Sequence, residues 1–227
     1  MPNQASGTSQ ASGTSQGPGI GDNFPGIDLP PPRFNDLAPL RDAFRMRRTE
    51  HRFSPRALEP QALSDLLWAA CGVNHPSRDR AGPAAGVPIV TDATASNAQE
   101  IDVYVALEQG VYLYEPHNAW LAPIVSEDLR PIVPAPNLPR SGDLAPVRLI
   151  YVADADKLAE AAIEDDETRK NFYLVDCGIV AANVYLFAAG AGLAAWFHDS
   201  DRPALAKKLP LRAGRRVLFA HTIGYPA

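Results

Sequence analysis

Cysteine is scarce in this chain. Cys71 and Cys177 are the two in 227 residues, too few for a disulfide scaffold. A basic excess is missing too. Lys and Arg total 21 against 26 Asp and Glu, a formal net charge of −5, which argues against a nucleic-acid binder. No apolar run reaches the roughly 18–20 residues that a membrane span needs. The opening Met1-Pro2-Asn3-Gln4-Ala5 has neither a positive stretch nor an apolar one, so no secretory signal is expected in the sequence as given. The five histidines, at 51, 75, 117, 198 and 221, share no metal-ligand spacing with each other or with a cysteine. A Walker P-loop, a G-x-S-x-G elbow and an H-E-x-x-H pair are also missing. The expectation is a soluble, cytoplasmic globular protein with no metal, nucleic-acid or membrane partner.

What is present can bury a core. Hydrophobic residues make up 46% of the chain and charged ones 21%, in a length that suits one domain of moderate size. Residues 5–10 read ASGTSQ, and residues 11–16 repeat them letter for letter. Such a tract has too little apolar surface to offset the entropy of ordering it, so 1–27 is expected to be a disordered arm and 28–227 the folded domain. Pro30-Pro31-Pro32 is a short stiff connection.

Periodicity then alternates between two kinds. Asn35 or Asp36 can cap a helix carrying Leu37, Leu40 and Phe44 on one face. A second helix is expected over 60–71, with Pro60 in its first turn and Gly72 closing it. Residues 73–92 read as loop. Ile101 to Leu107 and Val111 to Tyr114 form a hairpin around Gln109-Gly110. Residues 122–145, with five prolines, read mostly as loop, and 146–152 as a strand. Ala155 to Ile163 is expected to be helical. The run 172–191 is apolar nearly all round, which predicts a buried helix, and Asp176, Gly178 and Asn183 interrupt it too much for a membrane span. Strands follow at 193–198 and 216–223. The mixture predicts an α+β fold around a mainly antiparallel sheet.

Gly190-Ala191-Gly192-Leu193-Ala194-Ala195 matches the dinucleotide pattern G-x-G-x-x-A in the wrong context. It ends a helix and opens a strand, which makes it a helix cap. Cys71 and Cys177 read as small core residues. Two other segments carry chemistry. Arg47-Arg48-Thr49-Glu50-His51-Arg52-Phe53 clusters cations beside a hydroxyl: either a phosphate grip or a solvated basic helix end. Thr94-Ala95-Ser96-Asn97-Ala98-Gln99 gathers small polar groups before a strand. It suits the heteroatom edge of a planar cofactor, or simply a turn.

Taken in order, these segments resemble the nitroreductase family of flavin-dependent oxidoreductases, close to the smaller branch that includes azoline dehydrogenases. The stretches that carry the likeness are RRTEHRF at 47–53, LLWAACGVN at 66–74, ATASNAQ at 93–99 and GVYLYEP at 110–116. The helical run from Asp176 to Leu193 and the terminal IGYPA at 223–227 complete it.

The resemblance implies an antiparallel sheet wrapped by helices, an intertwined homodimer, and FMN held non-covalently at the interface. Arg47 and Arg48 take the first two positions of the family's R-R-S-x-R pattern for the FMN phosphate and ribityl chain. Thr49 keeps the serine's hydroxyl, and His51 stands where the second cation usually does. With the sequence ending at Ala227, phosphate binding is expected to rest on Arg47, Arg48 and Arg52. The family loop P-S-A-x-N-x-Q falls on Ala93, Thr94, Ala95, Ser96, Asn97, Ala98 and Gln99, and touches the isoalloxazine or ribityl region. Asp92 occupies the neighbourhood of a usual arginine. The segment around His198-Asp199-Ser200 resembles the one that sets a backbone amide near flavin N5.

The implied activity is hydride transfer in two half-reactions, from NAD(P)H to the flavin and on to a nitro, quinone or similar small acceptor. Two alternatives stay open: a dehydrogenase of a ring or peptide substrate with oxygen as acceptor, and a non-catalytic flavin-binding relative. The flavin carries the chemistry, so no catalytic side chain is assigned. Phe172, Tyr173 and Trp68 are read as packing residues rather than substrate contacts.

Overall fold

A computed structural model of the protein describes residues 24–75, 88–94, 97–139 and 145–227. Most of the arm lies outside these residues, but the folded part reaches back to Phe24, before the expected boundary at 28. Phe24 packs on Tyr112 with ring centroids 4.8 Å apart. Strand β1 (Ile27–Asp28) pairs with the strand that begins at Trp120. The prolines that follow are strapped down rather than free. Ser64 Oγ donates to Pro30 O at 2.5 Å, Gln61 Nε2 to Pro31 O at 2.9 Å, and Arg33 N to Asp65 Oδ1 at 2.6 Å.

Helix α1 (Leu40–Met46) begins three or four residues later than Asp36 or Asn35 would cap it, because Pro39 is its N-cap. The expected apolar face is wrong as well. Leu40 and Phe44 are each 62% exposed, and Ala43 is the residue α1 buries. α1 ends at Met46 with Arg47 as its C-cap, so 48–53 lies beyond the helix. Helix α2 (Pro60–Cys71) matches its expected span, with Leu66 and Leu67 fully buried. Each such leucine contributes about 1.5–3 kcal/mol of burial. Gly72 closes α2 with φ −74, an extended value open to any residue. Glycine is needed for space: a Cβ there would stand 2.4 Å from the Trp68 ring. Trp68 packs on Phe34, 4.9 Å between centroids.

Within 73–92, read as loop, β2 (Val73–His75) and β3 (Ile89–Val90) form a small antiparallel pair. The hairpin is present as β4 (Ile101–Leu107) and β5 (Gly110–Glu115). β6 (Trp120–Val125) runs into the proline-rich stretch read as loop. β1 covers only Trp120 and Leu121, so the missing N–H of Pro123 falls where no ladder partner is needed. β7 (Val147–Asp154) is buried along its whole length, and α3 (Ala155–Glu160) follows it, capped by the Asp154 carboxylate.

Helix α4 (Asp166–Gly190) starts six residues before the expected run, because Asp165 caps it by accepting from Thr168 N at 2.6 Å. It is not buried all round. Val175 is 61% exposed, and Gly178 and Ala182 lie open on the same side. The opposite side carries Cys177, Val180, Val184 and Phe187 into the core. By length and composition α4 could cross a membrane; here it packs on α1, α2 and β8. It ends in a Schellman cap: Leu193 N donates to Ala188 O at 2.8 Å and Gly192 N to Ala189 O at 3.4 Å, with Gly192 at φ +68. That cap accounts for the G-x-G-x-x-A string.

The chain finishes with β8 (Ala194–Asp199), α5 (Arg202–Lys208), which the sequence reading had missed, and β9 (Arg215–Gly224). The main sheet has seven strands in the order β1-β6-β5-β4-β7-β9-β8, and every described pairing is antiparallel. The fold is α+β, as expected. Cys71 and Cys177 are free and buried in the core between the sheet and helices α2 and α4.

Candidate functional site

The segment after α1 is laid along the last strand of the sheet. Glu50 N donates to Ala195 O at 3.0 Å, Ser54 N to Tyr225 O at 2.8 Å, and Phe53 bridges Pro226. This docking puts Arg47, Arg48 and Thr49 beside the start of β8 and the C-terminal half of α4. Thr49 Oγ1 lies 3.0 Å from the Tyr185 hydroxyl, which accepts from Phe197 N at 2.9 Å. The Arg47 guanidinium sits over the Tyr185 ring, 5.4 Å from its centroid. A cleft of about 220 Å³ opens here, lined by Met46, Arg48, Glu50, Tyr185 and the capped end of α4.

Arg48 is not wholly available. Its Nε stands 3.6 Å from Glu50 Oε2, while Glu50 Oε1 accepts from His51 N and Arg52 N. Those backbone bonds, chiefly that of Arg52, hold the Glu50 carboxyl below its usual range. His51 turns away from Thr49. Its ring meets Trp196 edge-on at 4.6 Å, and Trp196 packs at a tilt on His198, 4.5 Å between centroids. Side chains alternate along a strand, so Trp196 and His198 face one side of β8 and Phe197 and Asp199 the other. Burial pushes His198 down to about 4, so its ring is neutral at pH 7. His198 bonds Asp199 O and Thr222 Oγ1, and Thr222 Oγ1 also receives Arg148 Nη1 at 2.6 Å. Asp199 shares the Phe197 side, two residues and about 7 Å further along. Its carboxylate is held by Arg202 Nη2 at 2.6 Å and Ser200 N at 3.0 Å.

The second candidate segment is built differently. Thr94 Oγ1 accepts from Gln99 N at 3.0 Å, and the Asn97 and Gln99 side-chain amides both donate to Pro88 O, at 3.2 and 2.6 Å. Those amides shape the loop itself. Asn97 and Gln99 hold φ of 57 and 51, the left-handed region, which is uncommon outside glycine. Ala95 and Ser96 lie outside the described residues. Behind the loop sits a buried acid cluster: Asp92 (4% exposed), Glu100 (0%) and Asp176 (4%). Both Glu100 oxygens are buried, with the Asp176 carboxyl and Glu100's own backbone N–H as their neighbours. Two carboxyls in hydrogen-bond contact need a proton between them. Burial, helped by Asp176, raises Glu100 to about 8, and burial raises Asp92 to about 6.

The two segments meet different sides of α4. Asn183 Nδ2 donates to Thr91 O at 3.3 Å, whereas Tyr185 bonds Thr49. Positions two apart on a helix point about 200° from each other. Within one chain, then, Arg47, Arg48 and Thr49 are brought together with β8, and the 94–99 loop is not brought to them. Tyr185 escaped the sequence reading because it sits in an apolar helical run that looks like core throughout. Its register opposite Phe197 is a tertiary fact.

The fold places the chain in the class of flavin-type oxidoreductases. A family model described as the nitroreductase family matches residues 44–225, and the chain belongs to that family. A nitroreductase relative from Methanocaldococcus jannaschii is 27% identical over 155 residues, which is 68% of this chain and 75% of the relative. A nitroreductase structure from Ralstonia eutropha JMP134 superposes with TM-score 0.77 at 30% identity, covering 92% of both chains. The E. coli microcin synthetase McbBCD complex with truncated pro-MccB17 bound superposes with TM-score 0.64 over 91% of this chain and 79% of that one. Its 18% identity speaks for the fold alone.

Proposed function

We propose that this protein is an FMN-dependent oxidoreductase that takes reducing equivalents from NAD(P)H and passes them to a small oxidised acceptor of the nitro or quinone type. The observation that carries this reading is the donor set on one side of β8. Arg47 and Arg48 present guanidinium groups, and Thr49 presents an exposed hydroxyl whose oxygen is already anchored by Tyr185. Planar cations and a fixed hydroxyl suit a phosphate monoester. Bound FMN supplies the hydride-carrying ring, which no side chain here replaces. Arg47, Arg48 and Thr49 hold the phosphate. Main-chain groups of β8 between Phe197 and Asp199 flank the ring. His198, neutral at pH 7, and Asp199, held by Arg202, lie beside these groups.

The opposed placement of Thr49 and the 91–99 loop about α4 supports a homodimer in which one copy supplies the phosphate grip and the other the loop with Thr94, Ala95, Ser96 and Asn97. The open face of α4, with Val175, Gly178 and Ala182, and the exposed Leu40 and Phe44 of α1 are apolar surface suited to that contact. Mixing and refolding Arg47→Ala with Asn97→Ala protein tests this. Shared sites restore flavin binding that each variant lacks alone; a failure to restore it contradicts the shared site. The dehydrogenase reading, with a ring or peptide substrate and oxygen as acceptor, is the second one; the microcin synthetase complex shares the fold with this chain. Turnover with NAD(P)H and a quinone in the absence of any other protein separates the two.

A further inference from the structure

We infer that Tyr185 is a positioning residue for the phosphate end of the cofactor site, acting by setting the direction of the Thr49 hydroxyl. The inference rests on the proposed FMN reading. The Tyr185 oxygen accepts Phe197 N–H at 2.9 Å, so one of its acceptor positions is filled by the backbone of β8. Its own proton then has Thr49 Oγ1, 3.0 Å away, as its described partner. With Tyr185 donating, the Thr49 oxygen is the acceptor in that bond and its proton is left to point outward. Thr49 is exposed, so that proton faces whatever ligand lies beside Arg47 and Arg48. The chain of bonds runs Phe197 N–H, Tyr185 O–H, Thr49 O–H, ligand acceptor. Each link polarises the next. A threonine without this anchor would rotate freely and accept as readily as donate.

Tyr185 is itself held from behind. Its ring meets His221 edge-on at 4.7 Å, and His221 Nδ1 bonds the Tyr151 hydroxyl at 2.8 Å. His221 and Tyr151 are fully buried, and burial drives His221 well below the normal range, so the support is uncharged at any working pH. The same ring carries Arg47 on its face, so one side chain orders two members of the Arg47-Arg48-Thr49 grip.

The test compares FMN with riboflavin, which lacks the phosphate, by fluorescence titration of apoprotein. Tyr185→Phe keeps the ring under Arg47 and removes the hydroxyl. The expected result is about five- to tenfold weaker FMN binding, the scale of one hydrogen bond, with riboflavin binding unchanged. Thr49→Ala should give the same pattern, and the double variant should be no worse than either single one. Equal losses for FMN and riboflavin would make Tyr185 a general structural residue and overturn the inference. So would an unchanged FMN affinity in Tyr185→Phe, or additive losses in the double variant. Wild-type protein that takes up neither flavin overturns the cofactor reading itself, an outcome distinct from the other three. Thermal unfolding of Tyr185→Phe, expected within a few degrees of wild type, shows that the variant folds.

Discussion

The two sides of α4 solve opposite electrostatic problems. On the Tyr185 side the ionised groups are at the surface, and the buried partners beneath them, His221 and Tyr151, are neutral and hydrogen-bonded to each other. On the Asn183 side three carboxyls, Asp92, Glu100 and Asp176, are buried behind a loop with two left-handed residues. The first arrangement leaves cations free to meet an anion from outside. The second gathers buried carboxyls, where burial favours the protonated form of Glu100. The proposed reading puts the cofactor's phosphate at the first side and its uncharged ring towards the second.

The largest expected effect is on the acid side. Glu100 is held near 8 in the fold against about 4.5 when unfolded, so the folded state binds the extra proton. Its contribution to stability is full below the unfolded value and is lost as pH rises through about 8. Denaturant unfolding of wild type should thus weaken by about 4 kcal/mol between pH 5 and 9 from this group, and Glu100→Gln should flatten that slope. The groups that face Glu100 and Asp92 are Asp176 on α4 and Lys157 on α3, with Cys71 on α2 beside Asp92. Parallel slopes in both proteins would take Glu100 out of the explanation.

Next comes the cation side. Arg47→Ala should weaken FMN binding by about 1.5–3 kcal/mol, the range for a hydrogen bond to a charged group, with little change in stability. Flavin retention equal to wild type would remove Arg47 from the site. Asn97→Ala, which the shared site also expects to cost flavin binding, adds a loss of stability to it. It puts a Cβ-bearing residue without a side-chain bond at φ 57, and should lower stability by about 1–2 kcal/mol. A melting curve identical to wild type would show that the loop conformation is not strained. The smallest effect belongs to Glu50→Gln. Releasing Arg48 from its carboxylate should tighten FMN binding about two- to threefold at low salt, and the gain should vanish in high salt.

How much of this was legible depended on whether the signal was local. Helix α2 could be read whole, because Pro60, the leucine spacing and Gly72 all lie within it. The arginine pair and Thr49 could be picked out for the same reason. Leu40 and Phe44 misled: their spacing is helical, but nothing local tells which face of α1 meets α4. β6 was hidden by Pro123, tolerated only because β1 is two residues long. Tyr185, the acid cluster and the opposed placement of the two candidate segments all depend on which residue of α4 faces which neighbour. That is settled by packing across the whole chain.

The claim at the centre of this account is that the Arg47-Arg48-Thr49 end holds a flavin by its phosphate. The most direct measurement is the visible spectrum of the purified protein, followed by heat release and chromatographic identification of the chromophore. The account predicts a flavin spectrum and released FMN, with the colour lost on purification of Arg47→Ala. Colourless wild-type protein that takes up no added FMN would contradict it.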